Sequence, residues 1–100
     1  MKKQIRDIVY LQMAGYENML KENNIQIQLT EKAVDWLANI GYEPQFGARP
    51  LKRLIQKEII NELAKKILGN EVDKNAVIEI DESKGKLTFK NLKMKNATLN

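Results

Sequence analysis

Twice in its N-terminal half the chain changes the period of its apolar residues, and this constrains the fold more than any other feature. From Ile5 to Leu20 they fall at Ile5, Ile8, Val9, Met13, Tyr16, Met19 and Leu20, the spacing of a helix with one apolar face. Gly15 weakens that helix by about 1 kcal/mol relative to Ala, and Glu22-Asn23-Asn24 ends it. Ile25-Gln26-Ile27-Gln28-Leu29 then alternates, as a strand with one buried face does. Thr30 offers an N-cap hydroxyl and Glu31 an acid in the first turn. Helical spacing returns with a buried stripe at Ala33, Trp36, Leu37 and Ile40, and Gly41 is placed to cap its end. Trp36 reads as core, against a second reading as a binding anchor.

Tyr42 to Gly47 is a loop holding Pro44 and Gly47, in which Tyr42 and Phe46 are expected to pack against the core. Pro50 suits the first position of a new helix with Leu51, Leu54, Ile55 and Ile59 on its apolar side. Leu63, Ala64, Ile67 and Leu68 continue the helical pattern, as one bent helix or two, until Gly69-Asn70. Ala76–Asp81 and Lys86–Lys90 read as a hairpin around a polar turn. A lone hairpin is marginal in water, so the Ile25–Leu29 strand is expected to join it. The expected fold class is α+β, helices packed on a small three-stranded sheet. Residues 1–90 form one domain and 91–100 a fraying, Lys- and Asn-rich tail.

Composition removes many chemistries. With 43% hydrophobic and 30% charged residues, the chain reads as a globular domain rather than a disordered one. It has no Cys and no His, so disulfides, thiolate nucleophiles, imidazole bases and most zinc sites are absent. Asp73, Asp81 and Glu82 lack metal-ligand spacing. No apolar run approaches the roughly 20 residues needed to span a bilayer. Arg6 and Asp7 interrupt any signal-peptide core after the basic start. No membrane partner is expected. The net charge of +4 is spread along the chain rather than gathered into a stripe.

The most informative run is Gly41-Tyr42-Glu43-Pro44-Gln45-Phe46-Gly47-Ala48-Arg49-Pro50-Leu51-Lys52-Arg53. A helix ends, a loop turns the chain, and a new helix starts with Arg49 at its positive end. A guanidinium beside free backbone N–H groups suits a phosphate. The plainer reading leaves Arg49 solvated or paired with a carboxylate such as Glu43. Lys52 and Arg53 similarly read either as phosphate or subunit contacts or as solvated helix charges.

From Gly41 through Gln56 the block resembles the sensor-2 region of ClpB-type AAA+ disaggregases, G-Y-[DE]-P-x-[FY]-G-A-R-P-L-K-R-x-I-Q. Ile8-Val9-Tyr10-Leu11-Gln12, Leu29-Thr30 and Ala33…Trp36-Leu37-Ala38 are also similar to the family's pattern, so the resemblance covers residues 5–90. It implies a C-terminal lid that closes over an ATP site, in a cytoplasmic homohexamer that threads aggregated polypeptides through its pore. Arg49 matches the sensor-2 arginine that reaches the ATP phosphates, with Gly47 and Ala48 preceding it. Ile8 lies on the first helix, where such lids approach the adenine ring, and fits plain core equally. The implied cofactor is ATP with magnesium in the complete protein. The implied partners are the large AAA+ subdomain of the same chain and of the neighbouring subunit, with an Hsp70-type co-chaperone system.

No G-x-x-x-x-G-K-[ST] phosphate loop and no Walker B strand occur in the 100 residues. The expectation is therefore a lid apart from its large subdomain, not an enzyme in itself. Two alternatives stand beside it. One is the lid of a ClpA/ClpC-type unfoldase that feeds a peptidase. The other is a basic nucleic-acid-binding module using Lys52, Arg53, Lys57, Lys65 and Lys66. Interleaved Glu58 and Glu62 and the lack of a stacking aromatic series argue against the second.

Overall fold

The computed structural model describes residues 2–92. Its elements run α1 (Lys2–Ala14), α2 (Glu17–Glu22), β1 (Ile27–Leu29), α3 (Glu31–Gly41), α4 (Arg49–Ile55), a π-helical turn (Gln56–Asn61), α5 (Glu62–Leu68), β2 (Ile78–Ser83) and β3 (Lys86–Asn91). The order of helices and strands is the one the apolar periods dictate, and the fold is α+β with helices against one mixed sheet.

The single helix expected over residues 5–20 is two. Gly15 N–H bonds to the Gln12 carbonyl and Tyr16 N–H to that of Met13, so α1 ends in a tightened three-residue turn. The break sends the two parts to different places. Val9 on α1 is fully buried in the main apolar cluster, whereas Leu20 on α2 joins a second one with Leu63, Val72 and Ile78.

β1 is shorter than the alternating run. It pairs parallel to β2 with Ile27 opposite Ile78 and Leu29 opposite Ile80. β2 pairs antiparallel to β3, giving the order β1-β2-β3. The hairpin turns at Lys84-Gly85, both at positive φ (52° and 80°), the geometry that matches strand twist in two-residue loops. β3 runs one residue past the end expected from the sequence. The rest of the expected tail, residues 93–100, lies outside the described residues.

α3 carries the largest correction to the expected core. Its buried face is Ala33, Val34, Leu37, Ala38 and Gly41. Trp36 is half-buried at the edge of the cluster, and Ile40 is 49% exposed. The stripe is rotated by about one position because α3 packs in two directions. Val34 and Ala38 join the side that meets other buried residues, and Ile40 turns to solvent.

Gly41 likewise is not a left-handed cap. It is the buried last residue of α3, and Tyr42 leaves in an extended conformation (φ −107°, ψ 129°). An added Cβ at Gly41 would stand 2.7 Å from Leu51 Cδ1 and 2.9 Å from Leu51 Cα. Only glycine lets α3 and α4 approach this closely. At the other end of α3, Thr30 caps as expected: its Oγ1 accepts from Ala33 N–H at 3.1 Å and donates to Asp81 Oδ1 at 2.6 Å.

Leu51, Ile55, Ile59 and Leu63 bury at four-residue steps along one continuous helical run. A π-helical turn lies in the middle, and the Gln56 side chain bridges it by accepting from Tyr16 Oη (3.1 Å) and donating to Asn61 Oδ1 (2.9 Å). The open question of one bent helix or two thus resolves as one run with a widened turn.

Candidate functional site

The loop from Tyr42 to Ala48 is held by its own backbone. Glu43 N–H donates to the Gly47 carbonyl at 3.2 Å and Gly47 N–H to the Glu43 carbonyl at 2.6 Å, a one-rung antiparallel bridge. Gly47 sits at φ +64°, the left-handed region where glycine is unstrained. Tyr42 and Phe46 do not pack against the core as expected: both are exposed, Phe46 at 52%. Because the backbone bridge closes the loop, no aromatic anchor is required.

α4 starts at Arg49, with Pro50 in its first turn and Ala48, half-buried against the main cluster, at the N-cap. Its first N–H groups are occupied. Arg49 N–H donates to the Phe46 carbonyl (3.3 Å), and Leu51 and Lys52 N–H donate to that of Ala48 (3.1 and 3.4 Å). Pro50 has none to give. The expected cradle of free backbone donors is therefore absent here, and an anion would be met by side chains alone.

Those side chains converge. Arg49, Arg53 and Lys57 recur every four residues and line an open groove of about 510 Å³ together with the apolar Ile40, Phe46, Pro50 and Leu54. Glu43 is the one acid on the lining. Arg49 is exposed and takes part in none of the ion pairs found among the described residues, so the expected alternative of pairing with Glu43 is not seen. The sequence offers Arg53 as a candidate phosphate contact and Lys57 only within the nucleic-acid alternative, although the four-residue spacing from Arg49 is the signal that joins them. Ile40 gave no such signal, because it scanned as core.

Ile8 is not part of this groove. It is half-buried on α1 and packs against the main cluster. Gly47 and Ala48 do not line the groove. The cationic stripe required by the nucleic-acid alternative is interrupted: Lys65 pairs with Glu62 (3.4 Å), and Lys66 pairs with Glu71 (3.5 Å) and lies over the Phe89 ring (5.6 Å). No helix among the described residues is long and apolar enough to cross a membrane.

Against known proteins, the family model for the C-terminal, D2-small domain of ClpB protein matches residues 1–80. The chain belongs to that family. Chaperone protein ClpB of Bacteroides thetaiotaomicron is 44% identical over 88 residues, which is 88% of this chain and 10% of the relative. ClpB of Rickettsia bellii is 48% identical over 83 residues, 83% of this chain and 10% of the relative. A ClpB 2 of Nostoc is 42% identical over 91 residues, again 10% of the relative. The chain therefore spans about one tenth of the length of the curated ClpB relatives it matches. ClpB membership agrees with the ClpB resemblance and does not favour the ClpA/ClpC and nucleic-acid alternatives.

Proposed function

We propose that this ClpB D2-small domain serves as the lid of an ATP-driven, protein-disaggregating homohexamer in the cytoplasm, and that Arg49 senses the nucleotide. The observation that carries the reading is the exposed guanidinium of Arg49, in no ion pair among the described residues and in one groove with Arg53, Lys57 and apolar side chains. A groove lined by cations and apolar residues together is complementary to a triphosphate lying against a polypeptide surface. Arg49 acts as the positioned cation, Arg53 and Lys57 deepen the positive potential, and Gly47 sets the turn that aims Arg49. Magnesium-ATP, held by the large subdomain of the same polypeptide, would supply the terminal phosphate on which charge develops.

A guanidinium fixed near that phosphate stabilises the transition state more than the ground state. Contacts to the neighbouring subunit's large subdomain, and cooperation with an Hsp70-type system, complete the reading. The test is Arg49→Ala in the full-length protein. Turnover should fall about a hundredfold, with partial rescue by Arg49→Lys because a point charge lacks the planar fork. Unchanged turnover would end the sensor assignment. The 100-residue domain itself should release no phosphate from ATP, and turnover abolished by Arg49→Ala in that domain would overturn the lid reading.

A further inference from the structure

β3 is an edge strand, and among the described residues no strand pairs with its outer side. The phase of its ladder follows from the last rung. Leu92 N–H donates to the Val77 carbonyl at 2.9 Å, and the register of β2 on β3 continues from that pair. Antiparallel pairs alternate between hydrogen-bonded and non-hydrogen-bonded, so Lys90, Thr88 and Lys86 turn their backbone groups toward β2. The Lys84-Gly85 turn, closing on Ser83 and Lys86, requires the same phase. Leu87 and Phe89 therefore direct N–H and C=O outward, away from the sheet.

The two faces of this edge differ in chemistry. On the helix side, Leu87 and Phe89 border a groove of about 490 Å³ lined also by Trp36, Glu58, Glu62 and Lys66, with Gly85 and the stem of the turn-flanking Lys86 at its end. On the solvent side, Lys86, Thr88 and Lys90 stand opposite Ser83, Asp81 and Glu79 of β2, with Lys90 Nζ 3.8 Å from Glu79 Oε1. Charge alternates from strand to strand: acids on β2, lysines on β3. The next strand outward is matched by acids on that face and by apolar side chains beside Trp36, Leu87 and Phe89 on the other, where Glu58 and Glu62 would repel acids and the cation, Lys66, is already paired with Glu71. A second copy of β3 would set lysine against lysine, the usual protection against self-pairing.

We infer that the outer edge of β3 accepts an extended segment of a separate polypeptide as a fourth strand, with acidic residues facing solvent and apolar residues facing the Trp36–Phe89 groove. Main-chain hydrogen bonds to Leu87 and Phe89 supply affinity, and the alternating side chains supply specificity. This surface shares no lining residue with the Arg49 groove and stands independently of the function proposed above.

The test uses the isotope-labelled 100-residue chain and a capped peptide alternating Val and Glu, about ten residues long, with a Val–Lys counterpart. Saturating Val–Glu peptide should slow amide exchange at Leu87 and Phe89 about tenfold or more. Lys86→Glu with Lys90→Glu should weaken Val–Glu binding about tenfold and improve Val–Lys binding. If Lys90→Glu beside Glu79 unfolds the hairpin, Lys86→Glu alone, opposite Ser83, carries the same test. Equal binding of the two peptides overturns the inference, as does protection confined to residues other than Leu87 and Phe89. Slow exchange at those two amides in the peptide-free monomer also overturns it, because a segment of this chain would then hold the edge. Protection that rises with protein concentration alone would assign the edge to a second copy and equally overturn it.

Discussion

The α3–α4 junction and the loop that connects the two helices lie side by side and are built on opposite terms. At the junction Gly41 and Leu51 are buried, and there is no room for one more carbon. In the loop Tyr42, Glu43, Gln45 and Phe46 are exposed, and two reciprocal backbone hydrogen bonds hold the turn. Helix placement is fixed by close packing, loop shape by main-chain bonding, and the cations at the loop's end belong to neither. The stability of this domain and the chemistry of its groove are therefore separable by mutation.

The strongest way to break that comparison is Gly41→Ala. Overpacking against Leu51 should cost about 1–3 kcal/mol, read as a lower melting temperature of the isolated domain. A neutral result would mean that the junction can spread and is not the rigid element. Gly47→Ala comes next. Its Cβ meets nothing within 4 Å, so the cost is backbone alone, about 1 kcal/mol for a non-glycine residue in the left-handed region. A larger loss would show that the loop, too, is set by packing.

At the far end of α3, Thr30→Ala should cost about 1 kcal/mol through the lost N-cap, measured by denaturant midpoint. The same hydroxyl carries a pH signature. The hydrogen bond from Thr30, and next that from Glu82 N–H, holds the Asp81 carboxyl below its ordinary value near 3.8. A depressed carboxylate stabilises the fold above its unfolded pKa, and the contribution is lost as pH falls through the lower folded value. Wild-type stability should therefore drop on acidification below about pH 4 more steeply than that of Thr30→Ala. Parallel acid limbs would remove the Thr30–Asp81 bond from the account. Smallest of all, Phe46→Ala should change stability by no more than about 0.5 kcal/mol. A larger loss would restore the aromatic-anchor reading of the loop.

Much of this was legible in the residues. Ile25–Leu29 alternates, and its last three residues, Ile27–Leu29, sit in a sheet. Thr30 precedes a helical period and caps it. Pro50 falls in a first turn. These are local effects of backbone sterics and hydrogen bonding, which act within a few residues and leave their mark in the order of side chains. Arg49 was legible in the same way, as a cation at a helix start.

What the sequence could not state depended on how elements meet. Gly41 resembles a cap in one dimension and is a contact point in three, because Leu51 occupies the space a side chain would need. Ile40 has the hydropathy of core, yet faces a groove, because α3 spends its buried face on Ala33, Val34, Leu37 and Ala38. The backbone donors ahead of Arg49 are taken by Phe46 and Ala48 carbonyls, which only the folded loop brings near. Local sequence thus determined which segments are helix, strand and turn, since those choices follow from short-range physics. Tertiary structure alone decided which faces are buried and which cations share a groove, because burial is a property of pairs of elements and no single element carries it.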